Sequence, residues 1–160
     1  MNDTEPVVGK TAGFRAVGGC VIYVGGTRPP SNEDWDAYLD FLAPRLSPTH
    51  VTPRVVWDDS EGPSPLSRKK LVDLTRDFPV KVALVSSRRT VSVVLNWQRD
   101  APAYHDFSPD QLDEAVAFVG VRGDAAISVV TALHGLRRLL LGSGTHPCNT
   151  ATQAGRHPIG

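Results

Sequence analysis

The segment 54–71, RVVWDDSEGPSPLSRKKL, contains a short strand, a polar turn and the start of a helix. Val55 and Val56 form the apolar run of the strand. Ser64 and Pro65 predict where the helix begins, because serine caps exposed N–H groups and proline has no N–H to leave unpaired. A strand that leads into a helix in this way is the unit from which α/β sheets are built.

The chain before this segment predicts a β-hairpin and a first helix. The β-prone runs TAGFRAV and CVIYVGG flank Gly18-Gly19, and a tight primed turn needs positive φ at both of its central residues. The second run is nearly all apolar, which is typical of a strand covered on both faces. Ser31 then caps a helix in which Trp35, Tyr38 and other apolar residues recur at helical spacing.

The chain after this segment alternates between strands and helices. Residues 80–85, VKVALV, predict a central parallel strand, and residues 86–97 predict a helix. Residues 103–107 predict a short edge strand, and Ser108 caps a helix that Gly120 ends. The order β-β-α-β-α-β-α-β-α predicts an α/β fold with a mixed sheet of four to five strands and four helices.

The predicted domain covers residues 11–121, and the two ends differ from it in composition. Residues 1–10 and 142–160 are polar and rich in small residues, and we expect both to be disordered. Residues 122–141 form an additional amphipathic helix. We favour a helix that covers part of the core, and the alternative is docking to a second chain or to a membrane surface.

Composition narrows the class of function. The chain has 160 residues, with 17 basic and 17 acidic side chains, so a basic stripe for general nucleic-acid binding is not expected. Neither the two cysteines nor the five histidines have metal-ligand spacing, so no metal or cofactor is expected. The start of the chain lacks a secretory signal, and no uninterrupted apolar run reaches about 18 residues. We therefore expect a cytoplasmic protein.

Four segments occur in an order that resembles a known family. They are PPSNEDWDAYLDFL at 29–42, VVWDDSEGPSPLSRKKL at 55–71, VKVALVSSRRTVSVVLNW at 80–97 and FSPDQLDEAVAFVGV at 107–121. Together they resemble the STAS-like domains of sulfate transporters and anti-sigma-factor antagonists, and most closely the small stand-alone bacterial members. The resemblance implies a non-enzymatic regulatory and signalling module that binds a protein partner, such as a regulatory kinase-like or sigma-regulatory protein.

In the anti-sigma-factor antagonists, a kinase partner phosphorylates a serine at the amino end of the second helix. The usual pattern there is an aspartate followed by a serine-serine or serine-glycine pair. This chain departs from that pattern, because Asp58 and Asp59 are followed by the separated residues Ser60, Ser64 and Ser67. Ser64 and Ser67 lie nearest to the position that the resemblance implies.

Three connections are expected at the carboxyl edge of the sheet, at residues 25–30, 58–64 and 86–89. Open α/β sheets bind ligands and partners at this edge. The candidate partner-binding or switch residues are Asp58, Asp59, Ser60, Ser64, Ser67, Ser86, Arg88 and Arg89.

Several of these residues have a simpler alternative role. Ser64 is first of all a helix cap, and Ser67 is the better switch candidate, with a solvated serine as its alternative. Arg88 and Arg89 oppose the dipole at a helix start, which indicates either a bound anion or pairing with the preceding aspartates. The acids of residues 58–61 form an exposed turn rather than a magnesium site, because no phosphate loop accompanies them.

Three functions remain open. The first is an interaction module with phosphorylation control at the carboxyl edge. The second is a homo-oligomeric assembly unit that associates through residues 123–141. The third is a small anionic-ligand binder, or an enzyme, at the same edge, where a deep pocket at Arg88, Arg89 and Asp58 would favour it.

Overall fold

The computed structural model describes residues 1–87 and 103–153, and the side chains among them up to Gly142. Its strands are β1 Val7–Val8, β2 Ala12–Val17, β3 Cys20–Gly25, β4 Thr52–Trp57, β5 Val80–Val85 and β6 Tyr104–Phe107. Its helices are α1 Asn32–Leu42, α2 Pro65–Thr75, α3 Leu112–Phe118 and α4 Gly123–Gln153. Short 3-10 turns at Ala43–Arg45 and Pro109–Gln111 follow α1 and precede α3.

The strands form one mixed sheet in the order β1-β2-β3-β4-β5-β6. The first three strands are antiparallel, and β3 to β6 are parallel. The predicted α/β class and mixed sheet are confirmed. The described residues contain six strands rather than four or five, because β1 was not predicted.

The predicted hairpin between β2 and β3 is confirmed. Gly18 and Gly19 have φ of 59° and 77°, in the left-handed region that a primed turn requires. The residues predicted to begin α1 and to end α3 are confirmed too. The Ser31 side chain accepts a hydrogen bond from the Asp34 N–H, and Gly120 ends α3 with φ of 90°.

Residues 4–8, within the start that the sequence predicted to be disordered, pair with the edge of the sheet. β1 pairs with β2, with Val7 opposite Phe14. Before β1, the Thr4 N–H donates to the Ala16 carbonyl at 2.9 Å, and the Ala16 N–H donates to Thr4 Oγ1 at 3.0 Å. An edge strand has backbone groups without partners, and the polar amino terminus satisfies them here.

The sheet separates two cores, because successive side chains of a strand point to opposite faces. Tyr23 and Val56 lie on the face covered by α1 and α2. Val55 and Trp57 lie on the opposite face, which α3 and α4 cover. Right-handed crossovers between neighbouring parallel strands place α1 and α2 on one side, so the carboxyl-terminal helices must cover the other.

Helix α4 covers the core, which is the alternative that we favoured for residues 122–141. Val129, Leu133, Leu136 and Leu140 are buried against the sheet. The stretch 123–142 of α4 is also the one helix in the described chain that is long and apolar enough to cross a bilayer, with mean hydropathy 1.3. A helix packed in a core meets the same criterion, and the buried residues place this one on the sheet.

Helix α4 extends to Gln153, although the sequence predicted its end at Leu141 and a disordered tail after it. Once a helix is nucleated, each added residue gains a backbone hydrogen bond, so poor helix formers can continue it. The tail beyond Gln153, and the predicted helix at 86–97 beyond Ser87, lie outside the described residues.

Candidate functional site at the carboxyl edge

The turns after β4 and β5 lie side by side at one edge of the sheet, as the parallel topology predicted. The Asp58 N–H donates to the Val85 carbonyl at 3.0 Å, and the Ser86 N–H donates to the Phe107 carbonyl at 3.1 Å. These bonds continue the sheet pairing past the strand ends. We call residues 58–64 and 86–87 the carboxyl rim.

Asp58 is a structural residue of the rim rather than an exposed acid. It is 9% exposed, and its Oδ1 accepts hydrogen bonds from the Ser60 N–H at 2.8 Å and from Ser60 Oγ at 2.6 Å. A Cβ on Gly25 would lie 2.7 Å from the same oxygen. The prediction of a fully exposed acidic turn is therefore wrong at Asp58, because the glycine leaves room for its carboxylate to pack inward.

Asp59 joins the turn after β4 to the turn after β5. Its Oδ1 accepts hydrogen bonds from the Ser87 N–H and from Ser87 Oγ, both at 2.8 Å, and lies 3.4 Å from Ser86 Oγ. Hydrogen bonds to an ionised carboxylate are stronger than those between neutral groups. Asp59 thus fixes the spacing of the two turns.

The second Asp59 oxygen faces α4, which the sequence did not predict to be part of the site. Oδ2 lies 3.8 Å from Arg137 Nη2, and the two side chains are 24% and 30% exposed. A partly exposed pair at this distance contributes only about 0–1 kcal/mol. The ion pair of Arg137 therefore adds little to the stability of the fold, and its main effect is to place a positive charge beside the rim.

Trp57 lies beneath α4 and is only 4% exposed. The Arg137 Cζ atom is 4.1 Å from the centroid of the Trp57 ring, and the His134 ring packs against it edge-on with centroids 5.7 Å apart. One signal could have indicated this arrangement. Arg137 lies four residues after Leu133 on the helix, at the border of the apolar arc.

Of the two serines at the start of α2, Ser64 has its predicted role as the helix cap, whereas Ser67 is not at the surface. Ser64 is exposed, and its Oγ caps the helix by accepting a hydrogen bond from the Ser67 N–H at 3.1 Å. Ser67 is only 5% exposed, and its carbonyl accepts a hydrogen bond from Trp35 Nε1 at 2.9 Å. The interpretation of Ser67 as a solvated serine is wrong, because α2 packs that turn against α1. Ser60 is buried as well.

Arg88 and Arg89 lie outside the described residues, so their predicted pairing with Asp58 or Asp59 is not described. Within the described residues, no three His, Cys, Asp or Glu side chains are grouped as metal ligands would be. Glu61 is the exposed acid of the rim.

Two buried groups of β3, Cys20 and Tyr23, are held in their neutral forms. Burial raises the pKa of the Cys20 thiol to about 12, so it carries no reactive thiolate near neutral pH. Burial, and then the charge of Asp58, raise the pKa of Tyr23 well above its usual range. The Tyr23 hydroxyl has no hydrogen-bond partner in the part of the chain that is described.

Comparison of the chain with protein-family models, with curated proteins and with solved structures found no match.

Proposed function

We propose that this protein is a cytoplasmic, non-enzymatic interaction module that binds a protein partner through the carboxyl rim. The observation that carries the proposal is the Asp59 carboxylate, which holds the turns after β4 and β5 at a fixed spacing. A preorganised surface loses little conformational entropy when a partner binds. The edge is also where open α/β sheets commonly bind their ligands.

The use of the rim carboxylates supports binding rather than catalysis. Oδ1 of Asp58 accepts two hydrogen bonds from Ser60, and Oδ1 of Asp59 accepts two from Ser87. A general base needs a lone pair directed at a substrate, whereas these oxygens are engaged in holding backbone turns. Cys20, the described cysteine, is buried within the sheet.

The resemblance to STAS-like domains suggests a bacterial regulatory role with a phosphorylated serine at the start of α2. Ser64 is the candidate, because it is exposed at the first turn of α2. A phosphate there would add about −1.5 to −2 charges beside the N–H groups of the helix start. The negative charge of the neighbouring Glu61 would repel this phosphate. Modification would therefore make the rim more negative and change the charge that a partner meets. A regulatory kinase-like or sigma-regulatory protein is the proposed class of partner.

The structure leads to opposite predictions for aspartate at the two serines. Ser64→Asp should fold with nearly unchanged stability, because aspartate is as good a helix cap as serine. Ser67→Asp should lower the free energy of unfolding by about 2 kcal/mol or more, because it places a carboxylate in a buried turn. Urea denaturation followed by circular dichroism measures both. Equal stability of Ser67→Asp and wild type would contradict the burial of this position.

Affinity capture from extracts of the native cell tests the rim as the binding surface. Glu61→Arg changes the charge of the exposed rim, whereas Asp77→Arg makes the same change at the opposite end of the sheet, before β5. Proteins captured by wild type should be lost with Glu61→Arg and retained with Asp77→Arg, as judged by quantitative mass spectrometry. Retention of the same partners by Glu61→Arg would reject the proposal.

A further inference from the structure

A cleft of about 670 Å³ lies between the end of β4 and α4. Its lining residues are Trp57, His134, Arg137, Arg138, Leu141 and Gly142. It lies beside the carboxyl rim, and Arg137 contacts both. We call it the α4 cleft.

The charge of the α4 cleft is positive. His134, Arg137 and Arg138 are three and four residues apart, so they share one face of the helix within about one turn. The acid found within ion-pair distance of these bases in the described chain is Asp59, 3.8 Å from Arg137. Within the described residues this carboxylate is paired with one of the two guanidinium groups of the cleft, so an anion that enters meets excess positive charge.

Arg137 is held in a geometry that suits an oxyanion. Its guanidinium lies over the Trp57 ring, with Cζ 4.1 Å from the centroid. Stacking fixes the plane of the guanidinium and uses its face, while the N–H groups point outward along its edges. A fixed guanidinium loses less conformational freedom on binding a phosphate or carboxylate in its fork.

Trp57 forms part of the wall of the α4 cleft. The indole Nε1 is buried and has no hydrogen-bond partner in the described part of the chain, and the side chain is 4% exposed. Indole N–H is only a donor, and a buried donor left unsatisfied costs about 1–3 kcal/mol. This atom is closed to solvent, so Trp57 reports on a bound ligand through its surroundings rather than by donating to it.

From these observations we propose that the α4 cleft binds a phosphate monoester. A carboxylate offers two oxygens and a single charge, and one guanidinium fork satisfies it. A phosphate monoester carries close to two charges near pH 7 and three acceptor oxygens. Two guanidinium groups and an imidazole around one cleft match the phosphate better. The proposal is independent of partner binding at the rim, because the bases belong to α4.

The test is a titration in which phosphate-bearing probes are added to the full chain. Two-dimensional nitrogen–proton NMR spectra monitor the binding. The probes are inorganic phosphate, O-phosphoserine and a phosphoserine peptide, with acetate and unmodified serine as controls at constant ionic strength. The Trp57 indole N–H resonance should shift saturably with the phosphate probes and not with the controls. Tighter binding of the peptide would assign a phosphorylated protein as the source, and equal binding of free phosphoserine would assign a small phosphate ester.

Two matched variants distinguish binding in the α4 cleft from a general attraction of the phosphate to the positive charges of the protein. Arg138→Gln should weaken phosphoserine binding roughly tenfold, because it removes a charged hydrogen-bond donor from the cleft. Arg122→Gln removes the same charge from an exposed position just before α4 and should leave the affinity unchanged. No saturable shift of the Trp57 indole with any phosphate probe would overturn the proposal. Equal shifts with acetate, or equal losses in the two variants, would overturn it as well.

Discussion

A chain that ends at Val121 is expected to lose cooperative folding, because α4 covers most of one face of the sheet. Val129, Leu133, Leu136 and Leu140 pack there with Val55 and Trp57. Burying one such side chain contributes about 1.5–3 kcal/mol, so four of them are comparable with the total stability of about 5–15 kcal/mol of a typical domain. Guanidinium denaturation followed by circular dichroism should show no sigmoidal transition for the truncated chain.

Two leucine substitutions in the full-length chain test the core packing of α4 without shortening the protein. Leu133→Ala should lower the free energy of unfolding by about 2–5 kcal/mol, because it leaves a cavity in the core. Leu139→Ala, on the outward side of the same helix and 49% exposed, should change it by less than about 0.5 kcal/mol. A truncated chain that unfolds with the wild-type midpoint would show that α4 is not part of the folded core.

Tyr38→Phe is expected to destabilise the protein by about 3 kcal/mol, a large effect for the loss of one oxygen atom. Arg54 lies in β4 and is only 3% exposed. Its Nη2 and Nε donate to the Tyr38 hydroxyl at 2.6 and 3.0 Å. Among the described residues, the ion pairs do not include Arg54. The tyrosine oxygen is therefore a principal partner of a buried cation, and its removal leaves that cation poorly solvated.

The matched control is Tyr104→Phe, which removes a hydroxyl that donates to Asp106 at an exposed position. It should cost less than about 1 kcal/mol. The double variant Arg54→Met/Tyr38→Phe should recover much of the lost stability, because replacing both partners by apolar groups leaves no unsatisfied charge. Urea denaturation measures all of these variants. Equal stabilities of Tyr38→Phe and Tyr104→Phe would contradict the proposed role of the hydroxyl.

The parts of the fold that the sequence predicted correctly depend on short-range signals. Gly18-Gly19 specifies its turn through positive φ, and Ser31 and Ser64 cap helices through atoms only three residues away. The apolar run 80–85 predicted a strand inside the parallel part of the sheet, and β5 lies there between β4 and β6. These features need little information from the rest of the chain.

The parts that the sequence did not predict depend on distant contacts. β1 forms because the edge of β2 lacks a partner. Ser67 is buried because its turn meets Trp35 of α1, which is far away in the sequence. The meeting of residues 58–64 with residues 86–87 followed from the parallel topology, but the contribution of Arg137 required the position of α4. The STAS-like assignment stays a prediction.

Hydrogen–deuterium exchange of the full chain, alone and bound to a captured partner, tests the carboxyl rim most directly. We predict slower exchange in two segments at once, residues 58–67 and residues 86–87, because the Asp59 carboxylate holds them in one surface. Exchange in the loop 47–51, at the opposite end of the sheet, should not change. Protection confined to that loop, or to only one of the two rim segments, would contradict the account.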